Sequence, residues 1–143
     1  MPRVELELPE RFQFVTEIPL RITDINYGGH LGNDALLSLL HEARVQFLRQ
    51  YGFTEMNVDG RSIIMTDAVL VYRSEGFYGD VARIEIAVSN MQSHGCDFIY
   101  KVTNKETGKE LARAKTGILF YDYAEKKILQ VPKKFKSLFS SNM

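Results

Sequence analysis

The chain has 143 residues, 45% of them hydrophobic, with 18 basic side chains balanced by 18 acidic ones and a single cysteine. That length is most simply one domain with its own core, and zero formal net charge offers no basic field for nucleic acid or an anionic membrane surface. The lone Cys96 excludes an internal disulfide and fits a reducing compartment. The chain starts without a signal-like apolar run and holds no stretch of membrane-spanning length, so a cytoplasmic protein is expected. No repeat, linker or low-complexity segment divides it, and residues 1–143 are read as a single domain.

In chain order, Phe12, Phe14, Ile18, Leu20 and Ile22 fall on even positions, the period of a strand with one buried face. Pro19 lacks an N–H, which marks that strand as an edge or a bulge. A glycine-punctuated loop follows and runs into a helix that Asn33 or Asp34 is placed to cap. Its apolar set is Leu36, Leu37, Leu39, Leu40, Ala43, Phe47, Leu48 and Tyr51, and Gly52 is a natural stop. So wide an apolar face suits a helix enclosed by a sheet better than a surface helix. The rest reads as β: Ser62–Tyr72, Val81–Ser89 with Ala82, Ile84, Ile86 and Val88 on one face, then Phe98–Thr103 and Leu111–Tyr123 around the hairpin-type turn Asn104–Gly108. Pro132–Phe139 is left unassigned, with a short helix as one option. The expectation is an α+β fold in the order β-α-β-β-β-β, one long helix against an antiparallel sheet of about five strands.

The chemistry concentrates in the loop. Asp24, Asn26, His30 and Asn33 bring an acid, two amides and an imidazole to the start of the helix, with Gly28, Gly29 and Gly32 between them. A helix N-terminus offers unpaired N–H groups and a partial positive charge, which suit an oxygen that becomes negative during reaction. Asp24 is the carboxylate able to take a proton from water, or it caps the loop backbone. Asn26 cannot act as a base and can only hold water, orient Asp24 or shape the turn. His30 is the loop's imidazole, a partner or competing base for Asp24, or a structural histidine bonded to backbone. Asn33 caps the helix while its backbone N–H remains free to polarise a carbonyl. His41 and Glu42 share the polar side of the helix with Ser38, Val45 and Arg49, where such contacts are mostly structural. His94 reads as a turn residue and Cys96 as a strand residue rather than a nucleophile. Three scattered histidines and one cysteine have no zinc spacing, and there is no nucleophile elbow, P-loop or dinucleotide fingerprint, so neither metal nor cofactor is expected.

The strand, the acidic glycine-rich loop, the long helix and the following strands resemble the hotdog fold. Loop and helix resemble the 4-hydroxybenzoyl-CoA thioesterase-like branch of acyl-CoA thioesterases, whose pattern is Asp-x-Asp-x-x-Gly-His-x-x-Asn followed by a Glu-Ala-Arg segment. Asp24, Gly29, His30, Asn33 and Glu42-Ala43-Arg44 match it, and Gly79-Asp80 is similar to the family's turn before the third strand. The resemblance spans roughly residues 10–132, with one departure: Asn26 stands where the branch has its second acid. Asp24, Asn26 and His30 also resemble the Asp, Asn and His of plant acyl-carrier-protein thioesterases, although His30 follows Asn26 by four positions here instead of two.

The resemblance implies hydrolysis of an acyl-CoA or acyl-carrier-protein thioester, with Asp24, Asn26 and His30 catalytic and Gly29, Asn33 and Glu42 touching substrate. It implies an acyl chain lying along the helix between two protomers, hence a homodimer or a homotetramer built from dimers. Two other classes compete: a hotdog enoyl-CoA hydratase, whose Asp-x-x-x-x-His motif is one residue shorter than the Asp24–His30 interval, and a non-catalytic acyl-thioester binding module, which Asn26 favours.

Overall fold

The computed structural model describes residues 3–140. Its elements are β1 (Phe14–Pro19), a 3₁₀ turn (Ile22–Asp24), α1 (Asn33–Gln50), β2 (Ser62–Tyr72), β3 (Val81–Ser89), β4 (Gly95–Asn104), β5 (Glu110–Asp122), β6 (Lys127–Leu129) and α2 (Lys133–Phe139). The strands pair antiparallel in the order β1-β3-β4-β5-β2, and β6 continues beside the end of β5.

One apolar core joins helix and sheet. Leu36, Leu39, Leu40, Ala43, Phe47 and Leu48 of α1 are buried against Ala82, Ile84, Ile86 and Val88 of β3 and Phe98, Tyr100 and Val102 of β4. Those β3 residues are the even-numbered face read from the sequence, each now fully buried. Complete burial of a side chain of this size contributes about 1.5–3 kcal/mol, which is why α1 stays on the sheet.

The differences from expectation have local causes. The first strand ends at Pro19 on the edge of the sheet, and Ile22 is 68% exposed in the 3₁₀ turn. The chain leaves the sheet there because the Asp24 carboxylate accepts the Arg21 N–H at 2.7 Å and closes the turn. The helix is capped by Gly32, with Asn33 and Asp34 as its first two residues. A Cβ on Gly32 would stand 2.9 Å from Asp34 Oδ1 and 3.4 Å from Asn26 Cβ, so the tight entry takes the residue without a side chain. At the other end Gly52 is a stop as read: its φ is 79°, its N–H reaches Arg49 O at 2.9 Å, and the Phe53 N–H reaches Leu48 O at 2.9 Å, a Schellman closure.

Leu37 is 42% exposed, whereas Arg44 is 4% exposed on the inner side of α1. The Arg44 guanidinium donates to Glu55 Oε2 at 2.9 Å and to the Tyr100 hydroxyl at 3.1 Å, and that hydroxyl shares a 2.7 Å bond with Thr116. Burial alone would lower the Arg44 pKa, but Tyr100 and Glu55 outweigh it and the net shift is upward. Desolvation pushes Glu55 up, yet hydrogen bonds from Arg44 and His41 leave its carboxyl below the usual range. β2 has the bounds read from the sequence, with a register shift between Met65 and Asp67. β6 was not foreseen as an element, and α2 is the short helix left as one option for Pro132–Phe139. Phe135 and Phe139 of α2 are buried against Phe47, Phe53 and Phe120, closing that end of the core.

Candidate active site

Residues 24–32 form a small self-bonded loop. Asn26 Oδ1 accepts the Gly28 N–H at 2.9 Å and the His30 N–H at 3.4 Å, while the Asn26 N–H reaches His30 O at 2.9 Å. Gly29 takes a φ of 84°, a conformation that L side chains rarely adopt, and the Gly32 N–H closes back on Asp24 O at 3.1 Å. The Leu31 N–H then reaches across to Gly76 O at 2.7 Å, fastening this loop to the segment after β2.

Between these two segments opens a cavity of about 420 Å³. Asn26, His30 and Leu31 line it from the loop, Asn33 and Leu36 from α1, residues 72–76 from the end of β2 and beyond, and Leu111 and Ala112 from β5. The first helical bond of α1 runs from the Leu36 N–H to Gly32 O at 2.9 Å, so the N–H groups of Asn33, Asp34 and Ala35 lie ahead of the helical ladder. Asn33 Oδ1 accepts from the Asp34 N–H at 3.2 Å, the one side-chain bond within that turn. Burial, with the Asp34 charge added, raises the Tyr72 pKa from its ordinary 10.0.

Three of the six residues singled out in the sequence therefore meet at one cavity: Asn26, His30 and Asn33. The other three are placed elsewhere. Asp24 is 3% exposed, and its two carboxylate oxygens accept from the Arg21 backbone N–H and guanidinium. Gly29 is exposed at the loop tip. Glu42 lines a separate cleft of about 430 Å³ between β1 and α1 with Glu17, Arg21 and Ser38, and accepts from Gln46 Nε2 at 2.7 Å. Sequence reading missed Tyr72, Arg73, Ser74 and Glu75, because their only local signal was the end of an apolar run before Gly79-Asp80.

His41 pairs with Glu55 at 2.8 Å, and His94 bonds its neighbour Ser93. Cys96 is buried, and desolvation pushes its thiol well above the ordinary value, which makes it a poor nucleophile. Among the described residues no three His, Cys, Asp or Glu side chains gather as a metal-ligand set, and no helix is long and apolar enough to cross a membrane.

A family model described as "Thioesterase-like superfamily" matches residues 20–139. No curated protein is similar enough in sequence to count as a match. Solved structures agree in fold. A 1,4-dihydroxy-2-naphthoyl-CoA thioesterase from Synechocystis is 19% identical with a TM-score of 0.80, the match covering 89% of this chain and 95% of that one. A probable thioesterase from Escherichia coli, YbaW, is 19% identical with a TM-score of 0.74, over 86% of this chain and 93% of its own. A thioesterase-superfamily protein from Jannaschia is 15% identical with a TM-score of 0.82, covering 94% and 85%. On its sequence match across most of its length and its helix-on-antiparallel-sheet architecture, the chain belongs to the thioesterase-like superfamily and has the hotdog fold.

Proposed function

We propose that this protein hydrolyses an acyl-CoA or acyl-carrier-protein thioester to the free acid and the thiol, in the cavity at the N-terminus of α1. The observation that supports this best is the meeting there of His30, Asn26 and the start of α1 with an apolar wall of Leu31, Leu36 and Leu111. A thioester carbonyl is weakly stabilised by its sulfur, and its leaving thiol has a pKa of about 8.5. Its hydrolysis needs a placed water, donors for the developing oxyanion and an apolar slot for the acyl group.

The N–H groups around Asn33 are the donors for the oxyanion. Asn26 has its Oδ1 committed to loop N–H groups, so its amide nitrogen is the atom left to orient water or the carbonyl. His30 is the imidazole at the cavity wall, able to bond the water or the departing sulfur. For Asp24, whose oxygens are held by Arg21, we propose a supporting role: it keeps the loop in shape behind these groups. The acyl group lies along the Leu36 side of α1, and a second copy of the chain completes the slot. β2 favours that assembly, since it is an edge strand of 11 residues whose outer side has no strand partner among the described residues and which exposes Met65 and Tyr72.

The test is incubation of the purified protein with a panel of aromatic and aliphatic acyl-CoAs and a free-thiol reagent. Thiol release above the uncatalysed rate is the expected result. Loss of enoyl absorbance without thiol would make it a hydratase, and calorimetric binding with neither change would make it a binding module.

A further inference from the structure

The family's second acid is replaced by Asn26 here, and Asp24 is walled off by Arg21, so a hydrolytic cavity would lack a carboxylate if the loop were its only source. It does not lack one. Glu75 is the single Asp or Glu among the described residues that line the cavity, and it comes from the segment after β2, whereas His30 and Asn26 come from the loop before α1.

The segment that carries Glu75 is fixed on both sides. Before it, the Arg73 and Ser74 N–H groups reach Leu111 O at 2.9 and 3.2 Å, and Ser74 Oγ donates to Glu110 O at 2.7 Å. After it, Gly76 O takes the Leu31 N–H at 2.7 Å, and a Cβ on Gly76 would stand 3.1 Å from Leu20 Cδ1, so the backbone is pressed onto the core. Beyond that, Asp80 Oδ2 accepts the Phe77 N–H at 2.9 Å. Glu75 itself is exposed, and its carboxylate has no hydrogen bond or ion pair among the described residues. The residues just before the two partners of the inter-loop bond, His30 and Glu75, both line the cavity. A free carboxylate on a pinned backbone, sharing one cavity with an imidazole and a helix N-terminus, is an arrangement suited to general-base hydrolysis.

The geometry points to Glu75 as the catalytic carboxylate of this site. The inference rests on the thioester-hydrolase reading above and supplies its proton acceptor. Glu75 takes one proton from a water in the cavity as the water oxygen forms a bond to the thioester carbonyl carbon. The carbonyl electron pair moves onto oxygen, facing the N–H groups at Asn33. When that pair returns, the carbon–sulfur bond breaks, and the sulfur leaves with the bonding electrons and takes the proton from Glu75. The products are the carboxylic acid, which ionises to solvent, and the free thiol. Glu75 is again a carboxylate.

The experiment compares Glu75→Gln, Glu75→Asp and Asp24→Asn with the parent, using the best acyl-CoA of the panel. Thermal melts confirm folding, which a Gln at an exposed position leaves intact. Glu75→Gln is expected to lower kcat by about 10²–10⁴-fold with KM changed little, and Glu75→Asp to recover part of the loss. Glu75→Gln at parental kcat, with Asp24→Asn folded but inactive, would overturn the assignment and return the base to Asp24. An equal loss in Glu75→Gln and Glu75→Asp that appears in KM alone would also overturn it, making Glu75 a binding group. A parent that releases no thiol from any acyl-CoA overturns the hydrolase reading itself, a result distinct from either.

Discussion

At the scale of single residues, Arg44 is the most demanding position in the core. A guanidinium in a nearly closed interior costs free energy unless its donors are met, and here Glu55 and Tyr100 meet them. Arg44→Ala removes a charge-assisted bond to each of these partners, and the loss expected is about 1.5–3 kcal/mol per charged hydrogen bond. Chemical denaturation measures it. Replacement of Glu55 by Gln should cost less, because the Glu55 side chain is 29% exposed and water can substitute. The same cluster gives stability an acid limb. The folded Glu55 carboxyl lies below its ordinary 4.5, so its contribution is complete above that value and fades as pH falls through the lower folded value. Arg44→Ala should weaken that limb. Little of this was legible beforehand. Arg44 stands within the Glu-Ala-Arg segment, but a basic residue beside the apolar positions of a helix gives no sign that the sheet offers it a tyrosine and a loop glutamate.

Among elements, α1 and β3 were the most legible, because each carries a clear periodicity. Ala82, Ile84, Ile86 and Val88 mark the buried face of β3, with Ala87 the one fully buried residue on its other face, and the apolar residues of α1 recur at helical spacing up to Gly52. The stop itself is testable. Gly52→Ala puts a Cβ at a φ of 79°, where open space removes any clash and leaves only backbone strain, so a loss of about 1–2 kcal/mol is expected in a thermal or urea melt. β6 escaped notice, and α2 stayed only one option for its segment, for the opposite reason. A three-residue strand has no room for a period, and α2 shows only Phe135 and Phe139 buried in seven residues. The site divides in the same way. Asn26, His30 and Asn33 lie in one glycine-rich stretch whose chemistry is visible in order. The facing wall, residues 72–76, is brought in by the pairing of β2 with β5, a relation between segments roughly forty residues apart.

For the whole molecule, the open outer side of β2 and the cavity beside its end argue that the chain does not work alone. Long exposed edges invite pairing with another strand, and β2 carries no proline and, among the described residues, no paired strand on that side. A dimer or larger even assembly is expected at micromolar concentration. Sedimentation that finds only a species near 16.4 kDa would refute it. Charge substitutions at Met65 or Tyr72 should shift such an assembly toward monomer.

The Leu31 N–H bond to Gly76 O gives this cavity a built-in gauge. It joins the two segments that wall the cavity, and its hydrogen can exchange with deuterium only when they part. The exchange rate of that one amide reads how often the two walls separate. A ligand that touches both walls stabilises the joined state by RT ln(1 + [L]/Kd), so Leu31 should exchange more slowly on titration while the central amides of β3 keep their rate. Substrate candidates can be ranked this way even in a variant that no longer turns them over.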